Sequence, residues 1–271
     1  MPDRRAPEPR AGEHSIETGV AELQQEPGSP DSWLLTINGM QSSHIDLSDP
    51  LRLEFEYMRW MASLILDRWP ERNTRLRVLH LGGGACALAR YLVATYPDSR
   101  NTVVEIDATL AALVRDWFGL PQAPLLKIRV GEAREVTEQL SAGSRDVVIR
   151  DVFSGRFTPP PLLTAEFTEQ AKRVLSESGI YLLNCGDAPS LRHARREAAT
   201  MAAAFQHTAI IADPPMLKGR RYGNIVMAGS AAPLARGTWL ARELLSGAMP
   251  ATIWDDAAVR RFAAGQEPYR D

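Results

Sequence analysis

The feature that most limits how this chain can fold is the run Val78-Leu79-His80-Leu81-Gly82-Gly83-Gly84-Ala85-Cys86-Ala87, an apolar strand that stops at three glycines and restarts as a helix. From Arg77 onward, short β-branched or leucine-rich runs keep alternating with stretches of helical periodicity. Such alternation builds βαβ units on a mainly parallel sheet, because parallel neighbours need a crossover and the helix supplies it. The pattern predicts strands at 77–81, 101–106, 126–130, 145–150, 179–184, 207–212 and 223–228. Helices are expected near 86–96, 108–118, 132–140, 161–176 and 189–205. The last two strands are joined by a loop containing Pro214-Pro215 and Gly219, with no room for a helical crossover, so they must pair antiparallel.

The flanks read differently. Residues 1–30 carry Pro2, Pro7, Pro9, Pro27 and Pro30 among polar residues and read as a flexible tail. Within 31–70, Trp33 to Ile45 brackets Asn38-Gly39, a dipeptide suited to tight hairpin turns. That hairpin is too short to be stable alone and must pair or dock elsewhere. Asp49-Pro50 then opens a helix with Leu53, Tyr57, Met61, Leu64 and Ile65 at helical spacing. Residues 71–230 form the Rossmann-like nucleotide-binding domain, and 231–271 a C-terminal helical extension. A mainly parallel seven-stranded sheet closed by an antiparallel hairpin is the α/β arrangement of the class I AdoMet-dependent methyltransferase fold.

Composition excludes whole classes. With 45% hydrophobic and 24% charged residues the chain is an ordinary globular one, and no apolar run approaches the ~18 residues of a membrane span. No apolar segment follows the charged residues of Met1 to Arg10, so a cytoplasmic location is expected. A net charge of -2 offers no field for nucleic acid or an anionic membrane. Cys86 and Cys185 are the only cysteines, and no Cys/His cluster has metal spacing.

Gly82-x-Gly84-x-x-Ala87 matches the glycine pattern that lets a backbone approach a ligand at a helix N-terminus, although a tight turn that binds nothing has the same letters. The acid of Val103-Val104-Glu105-Ile106, 21 residues after Gly84, sits where a carboxylate accepts both ribose hydroxyls. Glu132, in Val130-Gly131-Glu132-Ala133, would lie at the adenine end of the same rim, or simply favour the first turn of a helix. The fourth strand delivers Asp151 beside the glycine turn, where a carboxylate could orient or deprotonate an attacking amine. An N-capping or loop-anchoring aspartate is the alternative there. The loop 152–161, with Phe153, Phe157 and three prolines, suits a lid or a rigid crossover. His44 could face the same site, but a lone histidine is more often structural.

The order of Leu79-His80-Leu81-Gly82-Gly83-Gly84, Val104-Glu105-Ile106-Asp107, Val130-Gly131-Glu132-Ala133 and Asp151, behind a hairpin with Asn38-Gly39-Met40-Gln41, resembles the spermidine synthases and their relatives over about residues 33 to 230. The resemblance implies that Gly82, Gly83 and Gly84 line the cofactor site and that Glu105 holds the ribose. It assigns Glu132 with Ala133 to the adenine, Gln41 to the nucleoside part of the donor, Asp151 to the attacking amine and Tyr57 to the acceptor pocket. It implies S-adenosylmethionine or its decarboxylated form as co-substrate, no metal, a small-molecule acceptor, and a homodimer in which the hairpin packs on another subunit. Departures are concentrated around the acceptor. Ala85 stands where aminopropyltransferases carry an aspartate, the second acid of their catalytic motif is missing after Asp151, and Arg220-Arg221-Tyr222 replaces a Tyr-Pro-Ser motif. Arg150, Arg156, Lys218, Arg220 and Arg221 stand in these loops, and Asp187 is the one extra acid that could compensate. The expected activity is therefore a spermidine-synthase-like transfer with methyl slightly favoured over aminopropyl. Acceptor contacts are expected from Tyr57, Asp187, Arg220 and Tyr222. An NAD-dependent oxidoreductase and a non-catalytic nucleotide-binding protein share the glycine turn and stay open.

Overall fold

The computed structural model describes residues 9–234 and 237–271. Its N-terminal part is a four-stranded antiparallel meander of β1 (Gly12–Ile16), β2 (Gly19–Gln25), β3 (Ser32–Ile37) and β4 (Met40–Asp46). The turn between β3 and β4 is the expected one, with Asn38 and Gly39 at φ 50° and 77°. Helix α1 (Glu56–Arg68) then leads into β5 (Arg77–Leu81), α2 (Ala87–Thr95), β6 (Arg100–Glu105), α3 (Ala108–Phe118), β7 (Leu126–Val130) and α4 (Ala133–Glu138). The chain continues through β8 (Arg145–Arg150), α5 (Ala165–Val174), β9 (Leu175–Asp187), α6 (Arg192–Ala204), β10 (His207–Ala212), α7 (Pro214–Leu217) and β11 (Gly223–Ser230). It ends in α8 (Thr238–Ser246), β12 (Thr252–Trp254) and α9 (Asp256–Ala263).

The second sheet runs β12-β10-β11-β9-β8-β5-β6-β7. Strands β9, β8, β5, β6 and β7 are parallel, and β11 joins β9 and β10 antiparallel. The five parallel strands read as near-continuous apolar runs because helices cover both faces, and Val78, Leu79, Val103, Val147, Val148 and Leu182 are fully buried. Strand order reverses at β5: β6 follows on one side, whereas β8 lies on the other. The chain connections diverge there, opening a crevice at the carboxyl ends of β5 and β8.

Three expectations are corrected. Residues 12–25, read as flexible tail, form β1 and β2, and β2 pairs with β3 along its length. The proline-rich composition hid a short alternation that turns Ala21 and Leu23, both fully buried, into the core with Ile16. Residues 1–8 of that expected tail lie outside the described residues. The helix expected from Asp49-Pro50 begins only at Glu56, because Asp46 gathers the backbone N–H groups of Ser48 and Asp49 and the Arg52 guanidinium into a turn. The large sheet has eight strands rather than seven, since β12 adds antiparallel to β10 inside the segment read as purely helical. The hairpin's apolar face is covered within this chain: Trp33, Leu35 and Ile45 are 6%, 0% and 2% exposed.

Candidate active site

At the end of β5 the backbone turns so tightly that a Cβ on Gly82 would collide with the Asp151 carbonyl oxygen, and Gly82 has φ 92°. The Asp151 N–H donates to the Leu81 carbonyl at 2.9 Å, fixing the two strand ends side by side. Two carboxylates thus reach one rim from different strands. Glu105, half-buried at the end of β6, accepts the Gly83 N–H at 3.0 Å and the Asp107 N–H at 3.1 Å. Loss of water around its carboxylate raises its pKa, while those backbone donors pull it back down. With Gly84 also donating to it, the carboxylate keeps acceptor capacity for a further donor.

The small sheet reaches the same turn. Ser43 Oγ accepts the Ala85 N–H at 3.0 Å, and Ser42 and Ser43 crowd Gly84. From the other end, Thr18 in the β1–β2 turn donates its N–H and its hydroxyl to Asp107 Oδ2 at 2.7 and 2.9 Å. Gln41 lies exposed on β4, two residues before Ser43. Glu132 caps α4, accepting the Glu135 N–H at 2.8 Å, so the helix-start reading of this acid is realised. Its neighbour Ala133 is buried. His80 points away from the rim: it is 4% exposed, pairs with Asn101 at 3.0 Å, and burial lowers its pKa to about 4.

On the other side of the glycine turn, Tyr57 donates its hydroxyl to Asp151 Oδ2 at 2.8 Å and Asn184 its amide to Oδ1 at 3.1 Å. Desolvation raises the Asp151 pKa, and the bonds from Asn184 and Tyr57 and the nearby Arg150 partly offset it. Burial, with Asp151 opposite, pushes the Tyr57 phenol well above its ordinary value, so it stays a donor. A carboxylate held this way is oriented, short of water and ready to take a proton. Tyr57 reaches this position because α1 buries it among Met58, Met61 and Leu64. The Asn184 Oδ1 atom is buried and has no hydrogen-bond partner.

The remaining residues expected around the acceptor divide. Asp187 is 3% exposed and both its oxygens are engaged, accepting the Ala188 N–H at 2.7 Å and the Ala194 N–H at 2.8 Å. It holds the entry into α6, and both oxygens are turned to that backbone. Arg150 is withdrawn as well: it is 1% exposed, ion-paired with Glu197 of α6 and bonded to the Leu162 carbonyl at 2.8 Å. Burial alone would lower its pKa, but Glu197 opposite overrides this and keeps it charged. Arg221 pairs with Asp213. Tyr222 lies over β9, where a Cβ on Gly186 would stand 2.7 Å from its hydroxyl and 3.4 Å from Phe153. Arg156 sits 5.8 Å above the Tyr222 ring, and Arg220 is exposed. Loop 152–161 therefore meets the 219–222 turn across Gly186, on the β9 face that also carries Asn184.

Sequence reasoning missed Asn184, Ser43 and Thr18. Asn184 had a signal, a lone amide within the buried run Tyr181-Leu182-Leu183-Asn184-Cys185. Ser43 could have been reached by stepping two residues along the strand from Gln41. Thr18 had none, since its segment was not read as structured.

No family model matches the chain. It is similar to the crystal structure of a probable spermidine synthase from Corynebacterium glutamicum ATCC 13032, with 49% identity, a TM-score of 0.92 and coverage of 97% of each chain. It is 31% identical over 136 residues to the polyamine aminopropyltransferase of Vibrio vulnificus (strain CMCP6), a match spanning 49% of this chain and 44% of that protein. Over 135 residues it is 30% identical to the eEF1A lysine and N-terminal methyltransferase of Mus musculus, covering 46% of this chain and 19% of that protein. The chain thus spans less than half the length of these two curated relatives. Near-complete coverage of the Corynebacterium chain, on a crevice whose glycine turn, Glu105 and Asp151 converge, makes this chain a member of the spermidine-synthase-like (polyamine aminopropyltransferase) family of transferases.

Proposed function

We propose that the protein transfers a small group from an AdoMet-type donor to a nucleophile oriented at Asp151, with methyl transfer as the favoured chemistry and aminopropyl transfer as the alternative. The observation that carries this reading is the convergence of Glu105 and Asp151 on either side of the Gly82–Gly84 turn, with Tyr57 and Asn184 fixing the second carboxylate. Glu105 would hold the ribose through its remaining acceptor capacity, Gln41 the nucleoside, and Glu132 with Ala133 the adenine side. The acceptor amine loses its surplus proton to Asp151, and its lone pair attacks the carbon bonded to the donor's sulfonium sulfur. A C–N bond forms as the C–S bond breaks, and the released electron pair stays on sulfur as a neutral thioether.

Methyl is favoured because Ala85 is fully buried and its N–H is already bonded to Ser43, so this position offers the donor's ammonium no carboxylate. A donor that keeps its own carboxylate beside the ammonium tolerates that better than the decarboxylated form. Association into a homodimer belongs to the same proposal on the family's pattern, and light scattering at micromolar concentration tests it.

The test is calorimetry with AdoMet, decarboxylated AdoMet, methylthioadenosine and NAD, followed by turnover with each binding donor. S-adenosylhomocysteine as product supports methyl transfer, and methylthioadenosine supports the alternative. Tight NAD binding without either sulfonium donor overturns both. Asp151→Asn should cut the rate by about 10²- to 10⁴-fold with little change in donor affinity.

A further inference from the structure

The acceptor side of the crevice carries an unusual charge distribution. Among the described residues, the Arg156, Lys218 and Arg220 side chains have no acidic partner, and all three are exposed. The acids that could neutralise them are taken: Asp187 holds the start of α6, and Asp213 caps α7 while pairing with Arg221. Glu56 precedes Tyr57 in α1 and acts on the Tyr57 phenol rather than pairing with any of the three. A diamine approaching Asp151 with its second ammonium over Gly186 would meet arginine where it needs a carboxylate. Like charges brought together at a partly desolvated site repel, so a diamine is disfavoured there.

The same face carries a second, independent mark of what it accepts. Asn184 is 2% exposed, its amide nitrogen is committed to Asp151, and its Oδ1 is left buried with no donor. A buried acceptor without a donor carries an unmet desolvation cost, which a bound N–H would relieve. Arg156, in turn, is not on a free loop. Ser154 and Phe157 bond each other's backbone at 2.8 and 3.4 Å, with Gly155 at φ 62°, and the Phe157 ring rests 5.7 Å from His193. The turn holds the guanidinium above Tyr222 before any ligand arrives.

We propose that the acceptor is a monoamine carrying an anionic group, whose nitrogen sits between Asp151 and Asn184 Oδ1 and whose anion is held by Arg156 beside Tyr222. This inference rests on the transferase reading and narrows its substrate class. The anion is a carboxylate or a phosphate at the far end of a short chain. Phe153 and Tyr222, which meet over Gly186, would flank the apolar stem.

Binding is the test. The complex with S-adenosylhomocysteine or methylthioadenosine is titrated with ω-amino acids of two to five carbons, with phosphoethanolamine, and with diamines of matching length. At least one anionic amine should bind about tenfold or more tightly than every diamine, and Arg156→Glu should reverse the order while leaving methylthioadenosine affinity unchanged. The carboxylate and phosphate arms tell the two anions apart. Diamines binding as well as or better than the anionic amines overturn the inference, as does a panel in which no anionic amine binds by tens of millimolar. Failure of the thioether nucleosides to bind would instead remove the transferase reading itself, so the two failures are distinguishable.

Discussion

In the proposed reaction Asp151 takes the acceptor's proton, and its surroundings make a signed expectation about pH. Desolvation raises its pKa, while the Tyr57 hydroxyl is one of the contacts that lower it. Deleting that hydroxyl in Tyr57→Phe should move the acid limb of the rate profile to higher pH and lower the maximal rate. A variant whose acid limb stays where it was would remove Tyr57 from the control of Asp151. Glu105 carries a double load, because the oxygens offered to a ribose also hold the Gly83 and Asp107 N–H groups. Glu105→Ala should weaken methylthioadenosine by about 1.5–3 kcal/mol in a calorimeter and also lower the melting temperature, since it leaves two backbone donors unmet. Glu105→Gln, which keeps acceptor capacity, should recover most of the melting temperature but less of the affinity. Both acids were legible from their place at strand ends. Asp187 was legible as an acid but not as a helix anchor, because backbone partners one and seven residues along a bent chain leave no mark in the letters.

At the scale of elements, the parallel strands were the most readable part of the chain, because burial on both faces leaves continuous apolar runs between helical stretches. The small N-terminal sheet was half readable. Its β3–β4 hairpin announced itself through Asn38-Gly39, whereas β1 and β2 bury only every second residue and sit between prolines that confine themselves to the ends and turns. Burying that hairpin within its own sheet changes what truncation does. Removal of residues 1–30 would strip β3 of its β2 partner, uncover Trp33 and Leu35, and release the Thr18 contacts on Asp107. A marked drop in melting temperature and weaker donor binding are expected, and an unchanged protein would mean that β1 and β2 add nothing. Leu23→Ala is the gentler form of the same measurement. It removes a fully buried side chain and should cost about 2–5 kcal/mol in denaturant unfolding.

At the scale of the whole molecule, the strand that carries the proposed reactive acid is tied to α6 by a buried ion pair. Arg150 ends β8 immediately before Asp151, and its guanidinium meets Glu197 of α6, with side-chain exposures of 2% and 4%. A charge pair so deep contributes little over well-packed apolar residues, yet removing one partner strands the other in a medium that cannot solvate it. Glu197→Ala should therefore destabilise the protein by about 3–5 kcal/mol, whereas Arg150→Met with Glu197→Leu should recover most of that loss. The double variant also separates stability from chemistry. The positive charge of Arg150 is among the influences that lower the Asp151 pKa, so a folded protein without it should carry its acid limb at higher pH than the wild type. The two shifts read different things, because Tyr57→Phe deletes a direct hydrogen bond and the double variant only a nearby charge. A stable double variant with an unmoved pH profile would confine the ion pair to fixing α6 against β8. A shifted profile would make this buried pair part of how the fold sets the protonation of its reactive acid.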